Sequence, residues 1–262
     1  MTSILFLTIT FMGILTASAA PSQSYADEDP TPVATVTTCG GYVNTSSALI
    51  EYQPGASIRA DQQCVWIVKV PLTFLRFRLV SSGLGENDGL FINDFLSYAP
   101  TTQKKFRIVG ENYTVSSDQA VITLSVGHAP TRGFSLEFFS SGMVTARGPY
   151  SGFASLNMNS GNFSYPSNGG QYRDGENAVF VVNPIVPAQR TLRFTRMGLE
   201  YANNCVYDAV SVYNWFNNEY IQLGRYCGTT LPPTFTLEAG VALVVFRSDT
   251  SNVGVGFAFE WL

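Results

Sequence analysis

The sequence predicts an all-β protein arranged as two tandem antiparallel β-sandwiches. Three observations predict it. Strand-length apolar runs are bounded by Gly and Pro clusters, no helical period of useful length occurs, and the pattern recurs after about 120 residues. The composition agrees. Of 262 residues, 45% are hydrophobic and 13% charged, with 19 Phe, 13 Tyr and 23 Gly. Aromatic and β-branched side chains suit a pleated surface, and glycines suit the turns between strands. A chain of this length can bury two ordinary cores.

From the N-terminus, residues 4–15 form an apolar run followed by Thr16-Ala17-Ser18-Ala19-Ala20, small residues at the spacing of a signal-peptidase site. The run is shorter than the ~20 apolar residues a membrane span needs. We therefore expect a cleaved signal over 1–20, a secreted extracellular protein and no membrane span. Residues 21–38 are rich in Pro, Ser, Thr and acid and read as a mobile leader. A first sandwich is expected over 39–140, with strands at 64–70 and 74–80. A linker follows at 141–148. The second sandwich is expected over 149–262, with strands at 178–182, 191–194, 206–213, 241–246 and 256–262. The repeat is carried by Leu75-Arg76-Phe77 against Leu192-Arg193-Phe194, Asp88 against Asp208, and Gly133-Phe134 against Gly256-Phe257.

Four cysteines allow three pairings. Cys39 with Cys64 and Cys205 with Cys227, each within one half, is the natural choice in an oxidising compartment. Loops of that size contribute about 3 kcal/mol each. Behind a signal peptide, the sequons at Asn44, Asn112 and Asn162 read as N-glycosylation sites on the surface.

The formal net charge is −4, from 15 Lys plus Arg and 19 Asp plus Glu, with no basic stripe; nucleic acid is excluded as a partner. His128 is the one histidine, which removes His-rich zinc sites and argues against a Ser–His–Asp triad. His-Glu-x-x-His and Gly-x-Ser-x-Gly do not occur. We expect no enzymatic activity.

Glu200, Asp208, Asp249, Ser251 and Asn252 fall in or beside loops at strand ends. Such groups could offer oxygens to a hard cation, which takes 6–8 at about 2.3–2.6 Å. They could equally be solvated acids that cap turns. Trp215 and Phe216 stand in a polar segment read as a hairpin loop, at the far end of the strand that Asp208 begins. They are a possible second contact, or they fold back on the sandwich.

Both halves resemble CUB domains. In the first, the resemblance rests on Cys39-Gly40-Gly41 and Cys64-Val65-Trp66-Ile67. In the second it rests on Cys205-Val206-Tyr207-Asp208 with the strand that follows, Leu223-Gly224-Arg225-Tyr226-Cys227-Gly228, and the run from Phe246 to Phe257. The resemblance implies a jelly-roll β-sandwich for each half. Each half departs from the family's two bridges by keeping one.

It also implies calcium in the second half. Many CUB domains use a Glu, an Asp eight residues on and a later Asp-x-Ser-Asn, with a supporting Tyr. Glu200, Asp208 and Asp249-Thr250-Ser251-Asn252 reproduce these, and Tyr172 stands where the Tyr belongs. The first half keeps Asp88 but has Val126-Gly127-His128-Ala129 in place of the later motif, so no metal is expected there. By the same resemblance, Glu200, Asp208 and Asp249 would meet a Lys or Arg of an extracellular protein partner. The expected function is calcium-dependent protein binding. The alternatives are a carbohydrate- or glycoprotein-binding protein of a secreted fluid, and a non-catalytic regulator of an extracellular protease.

Overall fold

The computed structural model describes residues 32–71, 73–94, 102–142 and 150–262. The expected signal peptide and nearly all of the expected linker lie outside these residues. The N-terminal sandwich contains β1 (Thr35–Val36), β2 (Gly41–Val43), β3 (Ser47–Ile58), β4 (Gln63–Lys69), β5 (Phe74–Ser82), β6 (Gly89–Asp94), β7 (Thr102–Phe106), β8 (Asn112–Val115), β9 (Gln119–Ser125) and β10 (Thr131–Ser141). The C-terminal sandwich contains β11 (Tyr150–Leu156), β12 (Gly161–Tyr165), β13 (Asn177–Val182), β14 (Arg190–Gly198), β15 (Ala209–Phe216), β16 (Glu219–Tyr226), β17 (Phe235–Leu237), β18 (Ala242–Arg247) and β19 (Gly256–Trp261). A short 3-10 turn at Asn203–Cys205 precedes β15.

Each sandwich has an outer and an inner sheet. The N-terminal outer sheet has the order β1-β3-β10-β5-β8 and the inner one β2-β4-β9-β6-β7. The C-terminal inner sheet has the order β11-β13-β18-β15-β16 and the outer one β12-β19-β14-β17. Pairing is antiparallel except at three sheet margins, where β1, β2 and β11 run parallel to β3, β4 and β13. One expectation is corrected here. The segment read as a mobile leader contains β1, held by the Ala34 carbonyl accepting from Leu49 N at 2.8 Å and by Val33 N donating to Ser47 Oγ at 3.1 Å.

Side-chain alternation builds the layers. On β5 and β14, apolar Leu75, Phe77, Leu192 and Phe194 point into the cores, while Arg76, Arg78 and Arg193 point to solvent. The inner strands β4, β9, β13 and β18 are buried on both faces, so their apolar runs are nearly continuous. One face of each fills its own sandwich, around Trp66 and Phe77 in the first and Phe180 and Phe246 in the second.

The other face makes a third core between the two sandwiches. Val65, Ile67, Phe91 and Val121 pack there against Val179, Val181, Trp215, Leu243 and Val245. The Phe91 ring lies 5.3 Å from Trp215, and Tyr42 stacks on Phe153 at 5.1 Å. Thr123 Oγ1 and Tyr220 OH share a hydrogen bond of 2.8 Å, and the Arg59 guanidinium donates to the Ile185 carbonyl. The molecule is therefore a four-layer stack with three apolar seams.

The third core decides between the two readings of Trp215: the ring folds inward. Trp215 lies within β15, and the hairpin turn is Asn217-Asn218, both at positive φ. Strand parity sends Trp215 inward to 2% exposure, whereas Phe216 remains 42% exposed. Both bridges are formed, Cys39–Cys64 and Cys205–Cys227. Among the described residues, no helix is long and apolar enough to cross a membrane.

Candidate metal centre

The site lies where three chain segments meet at one end of the C-terminal sandwich. β14 delivers Glu200 just past its end, β15 begins directly after Asp208, and Asp249 follows the end of β18. β15 and β18 are paired neighbours with Ala209 opposite Arg247, so Asp208 and Asp249 emerge side by side. Carboxylate oxygens of Glu200, Asp208 and Asp249 all lie within 4.8 Å of one another. This is the one such acidic or His/Cys cluster among the described residues.

Neighbouring groups hold the three acids in place. Asp208 is fully buried; its Oδ1 accepts from the Asp249 amide at 2.8 Å, and its Oδ2 accepts from the Tyr172 hydroxyl. The same hydroxyl accepts from Glu200 N at 3.2 Å, so one phenol joins two of the acids. Burial, reinforced by the Asp208 hydrogen bond, pushes the Tyr172 pKa well above the ordinary phenol range, which keeps the hydroxyl a donor. Asn252 Nδ2 donates to Glu200 Oε1 at 2.8 Å, and Ser251 N donates to Asp249 Oδ1 at 3.0 Å. Asn252 takes a left-handed φ of 61°, a conformation Asn tolerates better than most residues. Gly254 lies so close to Gly198 that a Cβ would stand 2.2 Å from its carbonyl oxygen, while the Gly254 carbonyl accepts from Tyr172 N at 3.2 Å.

One atom is left over. Glu200 Oε2 is buried and has no hydrogen-bond partner, although its carboxylate sits beside two others. A buried charged oxygen without a partner is costly, and three acids this close repel. A divalent cation relieves both terms. The donor set is all oxygen, which suits a hard ion such as calcium rather than zinc or copper. Glu200, Asp208 and Asp249 form the acidic cluster, and Ser251 and Asn252 are tied to it through hydrogen bonds to Asp249 and Glu200.

The corresponding place in the N-terminal sandwich is built differently. Asp88 Oδ2 accepts from Gly85 N at 2.6 Å and its Oδ1 accepts from Gly127 N at 2.9 Å. The carboxylate thus accepts from two backbone amides and ties two loops together. The three sequon asparagines, Asn44, Asn112 and Asn162, are exposed, on or beside the margin strands β2, β8 and β12.

Comparison with known proteins places these features in context. Residues 152–261 match the family model described as CUB domain. The chain is 28% identical over 265 residues to procollagen C-endopeptidase enhancer 2 of Homo sapiens, an alignment covering 95% of this chain and 61% of that protein. It is 26% identical over 249 residues to cubilin of Rattus norvegicus, covering 87% of this chain and 6% of cubilin. The chain thus spans less than two thirds of these relatives. The CUB1-EGF-CUB2 domain of human MASP-1/3 aligns with 83% of this chain and 99% of its own, at 14% identity and a TM-score of 0.38.

Proposed function

We propose that this protein is a secreted, non-catalytic binding protein whose C-terminal sandwich holds calcium and uses it to arrange a docking site for another protein. The observation that carries the reading is the Glu200 carboxylate, which has an oxygen within 4.8 Å of the Asp208 and Asp249 carboxylates and whose Oε2 is buried and unpartnered. Glu200, Asp208 and Asp249 would hold the ion, with Ser251 and Asn252 completing it; the ion would supply the positive charge that lets the three loops close on one another. Three carboxylates against a divalent cation leave one net negative charge. That surplus favours a Lys or Arg of the partner over an acidic group, at a site already organised before binding.

A second reading is that the bound protein belongs to an extracellular proteolytic reaction, with this chain as its accessory. The similarity to a protein named as an endopeptidase enhancer favours it. It requires the same docking site and adds a consequence, a change in a protease's turnover.

Calorimetric titration of the full chain with calcium tests the first reading. Wild type should bind one equivalent, and Asp249→Ala should lose at least a hundredfold in affinity. Equal binding by the two proteins removes the site assignment.

A further inference from the structure

The loop between Glu200 and Asp208 exposes large apolar side chains that the cation site does not use. Tyr201 is 74% exposed, Val206 54% and Tyr207 47%. Leu231, across a cleft from this loop, is 50% exposed. Scattered apolar residues are ordinary on a surface, but Tyr201 and Leu231 line one concavity. The cleft measures about 650 Å³, and Tyr201, Tyr226, Leu231 and Pro233 share its walls with polar Asn204 and Thr230. It shares Leu199 and Thr229 with the smaller hollow of about 430 Å³ that contains Glu200 and Asn252. The groove therefore adjoins the acidic site at Glu200.

The groove is also fixed in shape. The Cys205–Cys227 bridge pins the loop, and Arg225 donates to the Cys205 carbonyl through Nε at 3.0 Å and Nη2 at 2.7 Å. Leu199 N donates to the Gly228 carbonyl at 3.0 Å, and Gly228 N donates to the Glu200 carbonyl at 3.3 Å. The Tyr201 ring lies against Gly228, where a Cβ would stand 3.2 Å from it, and Gly228 has a left-handed φ of 70°. The loop backbone that carries Tyr201 is thus held in place before any partner binds. The solvation cost of the exposed apolar groups is relieved when a partner covers them.

We propose that this groove is a specificity pocket that takes a large aliphatic or aromatic side chain of a protein partner, set beside the Lys or Arg that meets the acidic site. The inference rests on the cation-site reading above for the basic residue, and on the groove alone for the apolar one. Arg225 commits its guanidinium to the loop carbonyl and adds positive charge to the groove, so the partner's basic group belongs at the Glu200 end and its apolar group at the Leu231 end.

The test uses matched synthetic peptides and fluorescence anisotropy on the full chain in millimolar calcium. One series has a central Lys flanked by Leu or Phe, a second has Lys flanked by Ser, and a third has Gln in place of Lys with the apolar flank kept. The Lys-plus-apolar series should bind at least about tenfold tighter than the Lys-plus-Ser series, as burial of one such side chain predicts. Leu231→Ser and Tyr201→Ala should each erase most of that difference without changing calcium affinity. Equal binding of the two Lys series, or an undiminished preference in both variants, overturns the groove and leaves the cation reading standing. Apolar-flank preference that survives chelation and the Gln replacement supports the groove and sinks the cation reading. No binding by any series overturns the proposal.

Discussion

Replacing Trp215 by Ala should unlock the two sandwiches. Trp215 is 2% exposed, and its ring lies 5.3 Å from Phe91 across the seam and 4.7 Å from Tyr220 on its own sheet. Truncation removes the largest side chain of the third core and leaves a cavity that the flanking sheets can only partly close. Buried Trp→Ala changes of this kind cost about 3–5 kcal/mol. For a protein of this size each kcal/mol lowers Tm by roughly 2–4 °C, so a fall of about 6–20 °C is expected. The assay is urea unfolding followed by Trp fluorescence and by far-UV circular dichroism. Wild type should unfold with coincident transitions, because the three apolar seams couple the layers. The variant should lose that coincidence, the two sandwiches melting separately. A loss below about 1 kcal/mol with the transitions still coincident would refute the third core as a stabilising contact. The same seam predicts poor behaviour for an isolated C-terminal fragment, which would expose Val179, Val181, Trp215 and Leu243 together.

Tyr172→Phe removes the hydroxyl that donates to Asp208 and accepts from Glu200 N, so calcium affinity should fall by about 10- to 100-fold while the stability of the calcium-free protein drops by about 1–3 kcal/mol; unchanged affinity in calorimetry would show that the phenol does not position the acids. Burial lowers the Lys69 pKa from its ordinary 10.5 to about 8, opposed by its ion pair with Asp118. Between those values only the unfolded chain holds the proton, so this group adds stability as pH rises from about 8 toward 10, by up to roughly 3 kcal/mol. Urea midpoints at pH 7 and 9.5 should therefore rise more in wild type than in Lys69→Met, and parallel pH profiles would contradict the buried ammonium.

Much of the fold was legible because its periodicities are local. Alternation in Leu75-Arg76-Phe77 and Leu192-Arg193-Phe194 marks strands with one wet face, and the structure puts them in the outer sheets. Both bridges formed as the spacing within each half suggested. The seam between sandwiches was not anticipated, although Val65-Trp66-Ile67-Val68 and Val179-Phe180-Val181-Val182 carried its signal. A continuous apolar run means burial on both faces, and a two-sheet sandwich offers only one buried face per sheet. The placement of Trp215 in a hairpin loop differs from the structure for a related reason. A polar neighbourhood in sequence suggested a loop, but the turn needs only Asn217-Asn218, and strand parity decided the rest. Strand ends were the least legible: the strand expected from residue 206 begins at Ala209, after a 3-10 turn with Asn204 at a left-handed φ of 57°. The acidic residues were visible as types, and only the resemblance to CUB domains grouped them into one site. Their convergence depends on the pairing of β15 with β18, a long-range contact that no local pattern encodes.

The most direct measurement is a crystal structure of the full chain grown with calcium, with anomalous scattering used to identify the ion. The account predicts one calcium at the end of the C-terminal sandwich, within about 2.3–2.6 Å of a carboxylate oxygen from each of Glu200, Asp208 and Asp249. A site filled by water alone in millimolar calcium, with Glu200 turned away to solvent, would contradict it.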